Sequence, residues 1–406
     1  MTRRPTPDVF RSLWRDQAEL GRDPRRGGYS RHGFDDVDLA LREWFVAEAE
    51  ARGLGVEPDR NGNLWAWLGA PGPDAVVTGS HLDSVPGGGA FDGPLGVVSA
   101  LLALDALTAK GFQPRRPLAI VVFAEEEGSR FGVPCLGSRL LTGALDADAA
   151  RRLTDRNGVD LAEAVRRAGV DPAGLGADRE ALARIGVFVE LHVEQGRALI
   201  DLAAPVAVAS TILAHGRWRL TFHGEGNHAG STALDDRRDP MLPAAHTVAA
   251  ARRVAGKITG ARATVGRLEV NPGGTNVIAS TVDVWLDARA PSSADVRSVV
   301  DELVGQAEHA AHAEGCRLIV REESFGDRVM LDAALRSRLA GRLGGVPLLP
   351  TGAGHDAGIL AAHAPSAMLF VRNPTGVSHA PAEHAEEDDC LAGIEALAAA
   401  LEHLAL

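Results

Sequence analysis

One stretch of the sequence, residues 75–94, constrains the fold more than any other. It begins with an apolar, β-branched run that is typical of a buried strand and continues into a polar loop rich in glycine. A helical pattern follows at once, because Pro94 suits the first turn of a helix and Gly111 suits its end. A strand that leads through a loop into a helix predicts an α/β fold, and it places His81 and Asp92 at the carboxyl end of the strand, where ligands bind in open sheets.

Length and charge narrow the class of protein. The chain has 406 residues, which is long for one hydrophobic core, so two domains are expected. Its formal net charge of -12 argues against a surface that binds nucleic acid or anionic lipid. No apolar run approaches the ~18 residues that a membrane-spanning helix needs, and the first residues lack the apolar segment of a signal peptide. We therefore expect a cytoplasmic protein without a nucleic-acid or membrane partner.

The hydrophobic pattern changes twice along the chain, and these changes predict the domains. Near-continuous apolar runs, typical of buried parallel strands, occur at residues 117–124, 185–191 and 366–371. From about 207 to 324 the strands alternate apolar and polar residues, as in an antiparallel sheet with one solvated face. We expect a mostly parallel-sheet α/β catalytic domain, with helices on both faces, at 1–206 and 325–406, and a smaller inserted α+β domain at 207–324.

Residues that can bind a metal follow four of the predicted parallel strands. They are His81 with Asp92, Glu127, His192 and His379. A single histidine at a strand end is more often a structural residue than a ligand, and Asp92 alone would suit a helix N-cap. The carboxyl ends of parallel strands lie at one edge of the sheet, however, so we expect these five side chains to converge. Asp83 is two residues from His81, so on an extended backbone it points the same way, and we expect its carboxylate to hold the second ring nitrogen of His81.

The residue types in this set indicate which metal would bind. Imidazole and carboxylate ligands without a thiolate favour Zn²⁺, Mn²⁺, Co²⁺ or Ni²⁺. Five ligands exceed the needs of one tetrahedral zinc, so we expect two ions about 3.5–4 Å apart, bridged by Asp92 and a water. A glutamate that does not bind metal could take the proton of that water, and Glu126 is the candidate. The run Glu125-Glu126-Glu127 leaves the register open, since either adjacent pair could supply base and ligand, and a charged loop is the commoner meaning of such a run.

Together these residues lie in motifs that resemble a known family. The chain is similar to the dinuclear-metal amidohydrolases that include N-carbamoyl-L-amino-acid hydrolase, allantoate amidohydrolase and β-ureidopropionase, relatives of zinc aminoacylases and carboxypeptidases. The matching motifs are Gly79-Ser80-His81-Leu82-Asp83-Ser84, Phe91-Asp92-Gly93, Glu126-Glu127-Gly128-Ser129-Arg130-Phe131, Glu190-Leu191-His192-Val193-Glu194-Gln195-Gly196, His228-Ala229-Gly230, Arg237-Arg238-Asp239, Gly354-His355-Asp356-Ala357 and Ser378-His379-Ala380-Pro381. The resemblance implies that the five residues above bind two ions, that Asp92 bridges them and that Glu126 is the general base.

The same resemblance implies roles for residues outside the metal set. His228, in the inserted dimerisation or lid domain, would reach the active site of the partner subunit in a homodimer and stabilise the oxyanion. Asn276 and Arg289 would bind the carboxylate of a small substrate, and Gln195 would lie near the scissile group. Arg289 also falls on the polar side of an alternating strand, although an exposed strand arginine is common. His215 and His355 are weaker candidates, expected to line or support the site.

These assignments predict an activity. We expect hydrolysis of the ureido or amide C–N bond of an N-carbamoyl-L-amino acid or of allantoate by a hydroxide that bridges the two ions, with Glu126 as the general base. An N-formyl or other N-acyl amino acid hydrolase of the same fold is the close alternative, and a catalytically silent dimeric binding protein is a remote one. A dipeptidase conflicts with His192, because the peptidase-like relatives usually place a carboxylate there.

Overall fold

The computed structural model describes residues 6–406 and divides into two compact units. The first unit comprises Met330–Leu406 and the described part of Met1–Ser210, and the second comprises Thr211–Val329. The assignment of these units to catalysis and dimerisation remains a prediction. Among the described residues, no helix is both long enough and apolar enough to cross a membrane.

The strands are numbered in chain order. They are β1 (Gly55–Pro58), β2 (Leu64–Leu68), β3 (Ala75–His81), β4 (Leu118–Phe123), β5 (Ile185–Val193), β6 (Val206–Ile212), β7 (Ala214–His223), β8 (Asn227–His228), β9 (Arg262–Asn271), β10 (Val277–Ile278), β11 (Thr281–Ala290), β12 (Arg317–Gly326), β13 (Val329–Met330), β14 (Leu348–Thr351) and β15 (Ser366–Val371).

The helices follow the same order. They are α1 (Pro7–Gln17), α2 (Asp36–Glu50), α3 (Pro94–Ala109), α4 (Leu136–Thr142), α5 (Ala147–Arg151), α6 (Leu161–Arg167), α7 (Arg179–Arg184), α8 (Ala198–Asp201), α9 (Met241–Ala255), α10 (Ser293–Ala313), α11 (Ala333–Arg342), α12 (Asp356–Leu360) and α13 (Glu387–Leu404). Short 3₁₀ turns lie at Pro172–Gly174 and Leu234–Asp236.

The larger sheet has the strand order β1-β2-β4-β3-β5-β15-β6-β13, with β14 paired to β6. At its centre, β4, β3, β5 and β15 run parallel to one another, so their carboxyl ends are neighbours. The flanking pairs β1 with β2, β2 with β4 and β15 with β6 are antiparallel. The predicted α/β class is therefore confirmed, and four strand ends meet along one edge.

Side chains of the central strands alternate between two hydrophobic clusters. Along β4, Ile120 and Val122 join the cluster that contains α3 and α13, whereas Val121 and Phe123 join the cluster that contains residues of α7 and α12. This alternation is the two-residue period of a strand, and it buries both faces of the sheet under helices. The near-continuous apolar runs in the sequence follow from burial on both faces.

The second unit contains a four-stranded antiparallel sheet with the order β12-β7-β11-β9. Val282, Val284 and Leu286 of β11 are buried against residues of α9 and α10, while the residues between them are partly exposed. The alternation of apolar and polar residues in the sequence therefore corresponds to a sheet with helices on one face. A separate two-stranded ladder joins β8 to β10.

Candidate metal centre

The carboxylate of Asp92 lies between two sets of possible ligand atoms. Its Oδ1 is 3.4 Å from Nε2 of His81 and 3.2 Å from Nε2 of His192. Its Oδ2 is 3.5 Å from Nε2 of His379, and that nitrogen is also 3.5 Å from Oε2 of Glu127. Within each set of three residues the ligand atoms lie within 4.8 Å of one another. The structure thus brings all five predicted ligands together in two groups that share Asp92.

The two buried histidines present a lone pair to this space. Nδ1 of His81 is 3.0 Å from the backbone oxygen of Asp83, and Nδ1 of His192 is 2.9 Å from the backbone oxygen of Val193. A carbonyl oxygen only accepts hydrogen bonds, so each Nδ1 carries the proton in the neutral ring and each Nε2 is an acceptor. Both Nε2 atoms are buried and have no hydrogen-bond partner, which fits residues that bind a cation.

Asp83 acts differently from what its spacing suggests. Asp83 is two residues from His81, and its carboxylate was expected to hold the second ring nitrogen of His81. Oδ1 of Asp83 lies 3.7 Å from Nδ1 of His81, too far for a hydrogen bond. The carboxylate instead accepts the backbone N–H groups of Glu126 and Glu127, each at 3.0 Å. The ring is held by the backbone oxygen, which leaves the side chain free to link the end of β3 to the loop after β4.

The three consecutive glutamates have different surroundings. Glu125 has a left-handed φ of 53° and turns its carboxylate towards three backbone N–H groups, at 2.7 to 2.9 Å. Oε2 of Glu126 lies 3.8 Å from Nε2 of His81, and Oε1 accepts a hydrogen bond from the thiol of Cys135 at 3.2 Å. Glu127 belongs to the group with His379. This arrangement favours Glu126 and Glu127 as the pair of base and ligand.

Burial and mutual repulsion shift the acidities of these groups. Burial raises the pKa of Glu126 to about 7, and burial together with the charge of Asp92 raises the pKa of Glu127 well above its usual range. Burial disfavours the imidazolium of His192, but the adjacent Asp92 raises its pKa to about 9. Three carboxylates in one buried place repel one another, and bound divalent cations would relieve that repulsion.

A match to a known family covers most of the chain. Residues 77–403 match the model of peptidase family M20/M25/M40. The chain belongs to this family. This match confirms the family resemblance that the sequence motifs predicted.

Individual relatives of this M20/M25/M40 protein match over nearly the full length. It is 36% identical over 394 residues to N-carbamoyl-L-amino acid amidohydrolase of Geobacillus stearothermophilus, covering 95% of this chain and 96% of that one. It is 31% identical over 400 residues to allantoate amidohydrolase of Escherichia coli, covering 96% of this chain and 95% of that one. Among solved structures, an amidase of the hydantoinase/carbamoylase family from Burkholderia vietnamiensis superposes with a TM-score of 0.89 at 29% identity, covering 99% of this chain and 98% of that one.

Two predicted substrate-binding residues, Gln195 and His355, lie beside the predicted metal ligands. Nε2 of Gln195 donates to Oδ2 of Asp92 at 2.7 Å and lies 3.2 Å from Nε2 of His379. The buried ring of His355 packs against His192 with the ring centroids 4.6 Å apart, and its own Nε2 has no hydrogen-bond partner. Burial lowers the pKa of His355 well below its usual range, so the ring is neutral.

His228 and Asn276 lie together in the second unit. His228 of β8 pairs with Val277 of β10. The N–H of Ala229, the residue after β8, donates to the backbone oxygen of Asn276 at 3.0 Å. Nδ1 of His228 accepts the N–H groups of two following residues, at 3.0 and 3.1 Å. The neutral ring must therefore carry its proton on Nε2, which makes it a hydrogen-bond donor at the exposed end.

His215 and Arg289 form a second pair in the same unit. They are directly opposite each other on β7 and β11. The guanidinium of Arg289 binds both carboxylate oxygens of Asp287, at 2.7 and 3.0 Å. Burial, with the charge of Arg289, lowers the pKa of His215. A substrate carboxylate at Arg289 would have to share the guanidinium with Asp287.

Sequence reasoning missed one buried carboxylate, Glu190, that lies beside the candidate ligands. Glu190 accepts hydrogen bonds from the hydroxyl of Ser80 and the N–H of Ala357, both at 3.1 Å, and forms a third possible ligand group with His192 and His355. A signal was present in the sequence, because Glu190 is two residues before His192 on a strand and so points to the same side of the sheet.

Proposed function

We propose that this chain is a metal-dependent amidohydrolase that cleaves the ureido or amide C–N bond of a small acid, such as an N-carbamoyl-L-amino acid or allantoate. The observation that carries the proposal is the position of Asp92, whose two oxygens face two separate sets of ligand atoms. The names of the two relatives reported above support the substrate class. Both named substrates combine a carbamoyl-type group with a carboxylate.

Two divalent ions of the Zn²⁺, Mn²⁺, Co²⁺ or Ni²⁺ type fit the residues present. His81, His192 and Asp92 would hold one ion, and Asp92, Glu127 and His379 the other. Such ions, when bound, lower the pKa of water and polarise a carbonyl group. The positions of the Nε2 atoms of His81 and His192 support this assignment, because both atoms are buried and both face the same carboxylate oxygen of Asp92.

Glu126 is proposed to move the proton. Its carboxylate is buried, lies 3.8 Å from a proposed ligand atom of His81 and belongs to neither ligand set that shares Asp92. It would accept a proton from the attacking water and deliver it to the leaving nitrogen as the C–N bond breaks. The carbamate formed from a carbamoyl group then decomposes, so that water and substrate yield an amino acid, ammonia and carbon dioxide.

The second unit is proposed to bind the substrate and to form a homodimer. Asn276 and Arg289 would bind the substrate carboxylate, for which a guanidinium offers a matching pair of donors. The Nε2–H of His228, whose tautomer is held by backbone N–H groups, would stabilise the oxyanion in the active site of the partner subunit. Gln195 and His355 would line the scissile group from the side of the proposed ligands.

The proposal can be tested with a panel of substrates. The protein would be stripped with a chelator, reloaded with each of the four metals, and assayed against N-carbamoyl, N-formyl and N-acetyl amino acids, allantoate and a dipeptide. We expect turnover of a carbamoyl or ureido acid that depends on added metal. Faster turnover of N-formyl or N-acyl amino acids would instead assign the alternative acylase activity. A fully loaded protein that hydrolyses none of these compounds would favour a silent binding protein.

A substitution provides the matched test of mechanism. Glu126→Gln keeps the size of the side chain and removes its ability to take a proton. We expect this variant to bind both ions as the parent does and to lose about 10²- to 10⁴-fold in kcat, the usual contribution of a general base. Parent-like turnover by a metal-loaded Glu126→Gln protein would exclude the proposed role.

A further inference from the structure

Glu383 holds the backbone of the segment that carries Asp92. Its carboxylate is buried, and Oε1 accepts the N–H of Phe91 at 3.0 Å and the N–H of Asp92 at 2.9 Å. These residues are 291 positions or more apart in the sequence. One carboxylate oxygen thus fixes two consecutive peptide groups at the proposed bridging ligand.

The other oxygen of Glu383 reaches Asp92 through a hydroxyl. Oγ of Ser378 is 3.1 Å from Oε2 of Glu383 and 3.2 Å from Oδ2 of Asp92. A hydroxyl has a single hydrogen, and both neighbours are acceptors, so Ser378 can donate fully to only one of them at a time. Glu383 therefore influences both the backbone and the side chain of Asp92.

The surrounding chain is shaped around this carboxylate. A Cβ atom at Gly89 would lie 2.2 Å from Oε1 of Glu383, so only glycine allows the loop to pass so close. Within residues 6–406, no basic side chain forms an ion pair with Glu383 within 4.0 Å. A buried carboxylate without a cation is costly unless hydrogen bonds compensate it, and here the bonds it makes converge on Asp92.

We infer that Glu383 is a positioning residue that sets the orientation of Asp92 for binding both metal ions. The inference rests on the proposed function, since it assumes that Asp92 bridges the two ions. Because Asp92 belongs to both ligand groups, a change in its orientation should weaken the binding of both ions together. A residue that supported only one group would weaken the binding of only one ion.

Three variants of Glu383 test the inference. Glu383→Ala removes the acceptor, and Glu383→Asp keeps the charge but withdraws it by one methylene group. We expect each to bind both ions about 10- to 100-fold more weakly, as is typical when a residue that orients a ligand is lost. At saturating metal, kcat should fall while KM stays near the parent value. Glu383→Gln, whose amide oxygen can still accept both N–H groups, should recover most of the ion affinity.

Hydrogen exchange gives a readout that needs no metal. In the chelated parent the amides of Phe91 and Asp92 should be protected, and they should exchange faster in Glu383→Asp and Glu383→Ala. Asp59→Ala is the matched control, because Asp59 is a half-buried carboxylate that also accepts two backbone N–H groups, both at 2.9 Å, but in the turn before β2. The control should leave both the ion affinities and the exchange of these amides unchanged.

The outcomes separate this inference from the proposed function. If Glu383→Ala does not fold, Glu383→Asp decides the question by the same two measurements. Parent-like ion affinity and parent-like amide exchange in a folded Glu383→Asp protein would overturn the positioning role while leaving the proposed activity intact. A parent protein that binds two ions but hydrolyses no substrate would overturn the proposed function, and the exchange and affinity data would still report on Glu383.

Discussion

Asp83 holds Glu126 by its backbone, with Oδ1 of the aspartate 3.0 Å from the glutamate nitrogen. The second oxygen of Asp83 holds the next residue, Glu127, in the same way and at the same distance. One buried carboxylate thus aligns the proposed base and a proposed ligand. It also joins the ends of two adjacent parallel strands, β3 and β4.

Asp83→Asn should impair catalysis through this alignment. An asparagine presents an amide NH₂ to one of the two backbone N–H groups, so one acceptor is lost and two donors face each other. We expect kcat and ion affinity each to fall about 10- to 100-fold. Asp178→Asn is the control, because Asp178 is also buried and caps α7 by accepting the N–H of Ala181. Parent-like kcat in Asp83→Asn would show that the alignment is dispensable.

Mixing two inactive variants should reveal whether His228 acts across subunits. His228→Ala removes the proposed oxyanion donor and should lose about 10²- to 10³-fold in kcat, and Glu126→Gln removes the base. If the site is shared, a mixed dimer contains one site with both residues intact. Random exchange of subunits should then restore about a quarter of the parent activity. No recovery after verified exchange would mean that His228 acts within its own chain or not at all.

Gly79→Ala should destabilise the first unit. A Cβ atom at Gly79 would lie 1.8 Å from the backbone oxygen of Val121 on the neighbouring strand, and that oxygen cannot move without breaking the sheet. We expect a loss of about 3 kcal/mol or more in the free energy of unfolding, measured with urea. Gly55→Ala is the matched strand variant, since no atom lies within 4 Å of its added Cβ, and it should change stability by less than about 1 kcal/mol. Equal effects would contradict the steric argument.

Asp38→Asn should stabilise the protein more at high pH than at low pH. Burial raises the pKa of Asp38 from its ordinary value of 3.8 to about 6. The folded state therefore holds the proton more tightly than the unfolded state, and stability is lost as pH rises from about 4 through 6. Asparagine does not titrate, so the variant does not lose this stability. The difference in free energy of unfolding between the variant and the parent should therefore increase, in favour of the variant, by about 2 kcal/mol between pH 4.5 and pH 8. Urea unfolding in a chelator tests this, and a difference that does not change with pH would refute it.

Much of the fold was predictable because it depends on local patterns. Near-continuous apolar runs form strands that are buried on both faces, such as β4 and β15. The alternating run in β11 became a strand with one buried face. These patterns follow from the two-residue period of a strand and from whether one or both faces of the sheet are buried. They can therefore be recognised in the sequence without knowledge of any long-range contact.

The hydrogen bonds around the candidate metal centre were less predictable. Asp83 was expected to hold the ring of His81, but the backbone oxygen does so, and the carboxylate reaches another loop. Residue spacing shows which side chains can point the same way, but it does not show which atom arrives within hydrogen-bond distance. Such a choice depends on the path of the whole loop.

By itself, the sequence determined the residue types that can bind metal, the strands that carry them and the family motifs in which they lie. Only the tertiary structure decided that Asp92 stands between two ligand groups and that Glu125 turns away to backbone donors. It alone brought Glu383 to the N–H of Asp92, 291 positions away. The physical reason is that composition and periodicity act over a few residues, whereas these contacts form when the strand ends of a packed sheet converge.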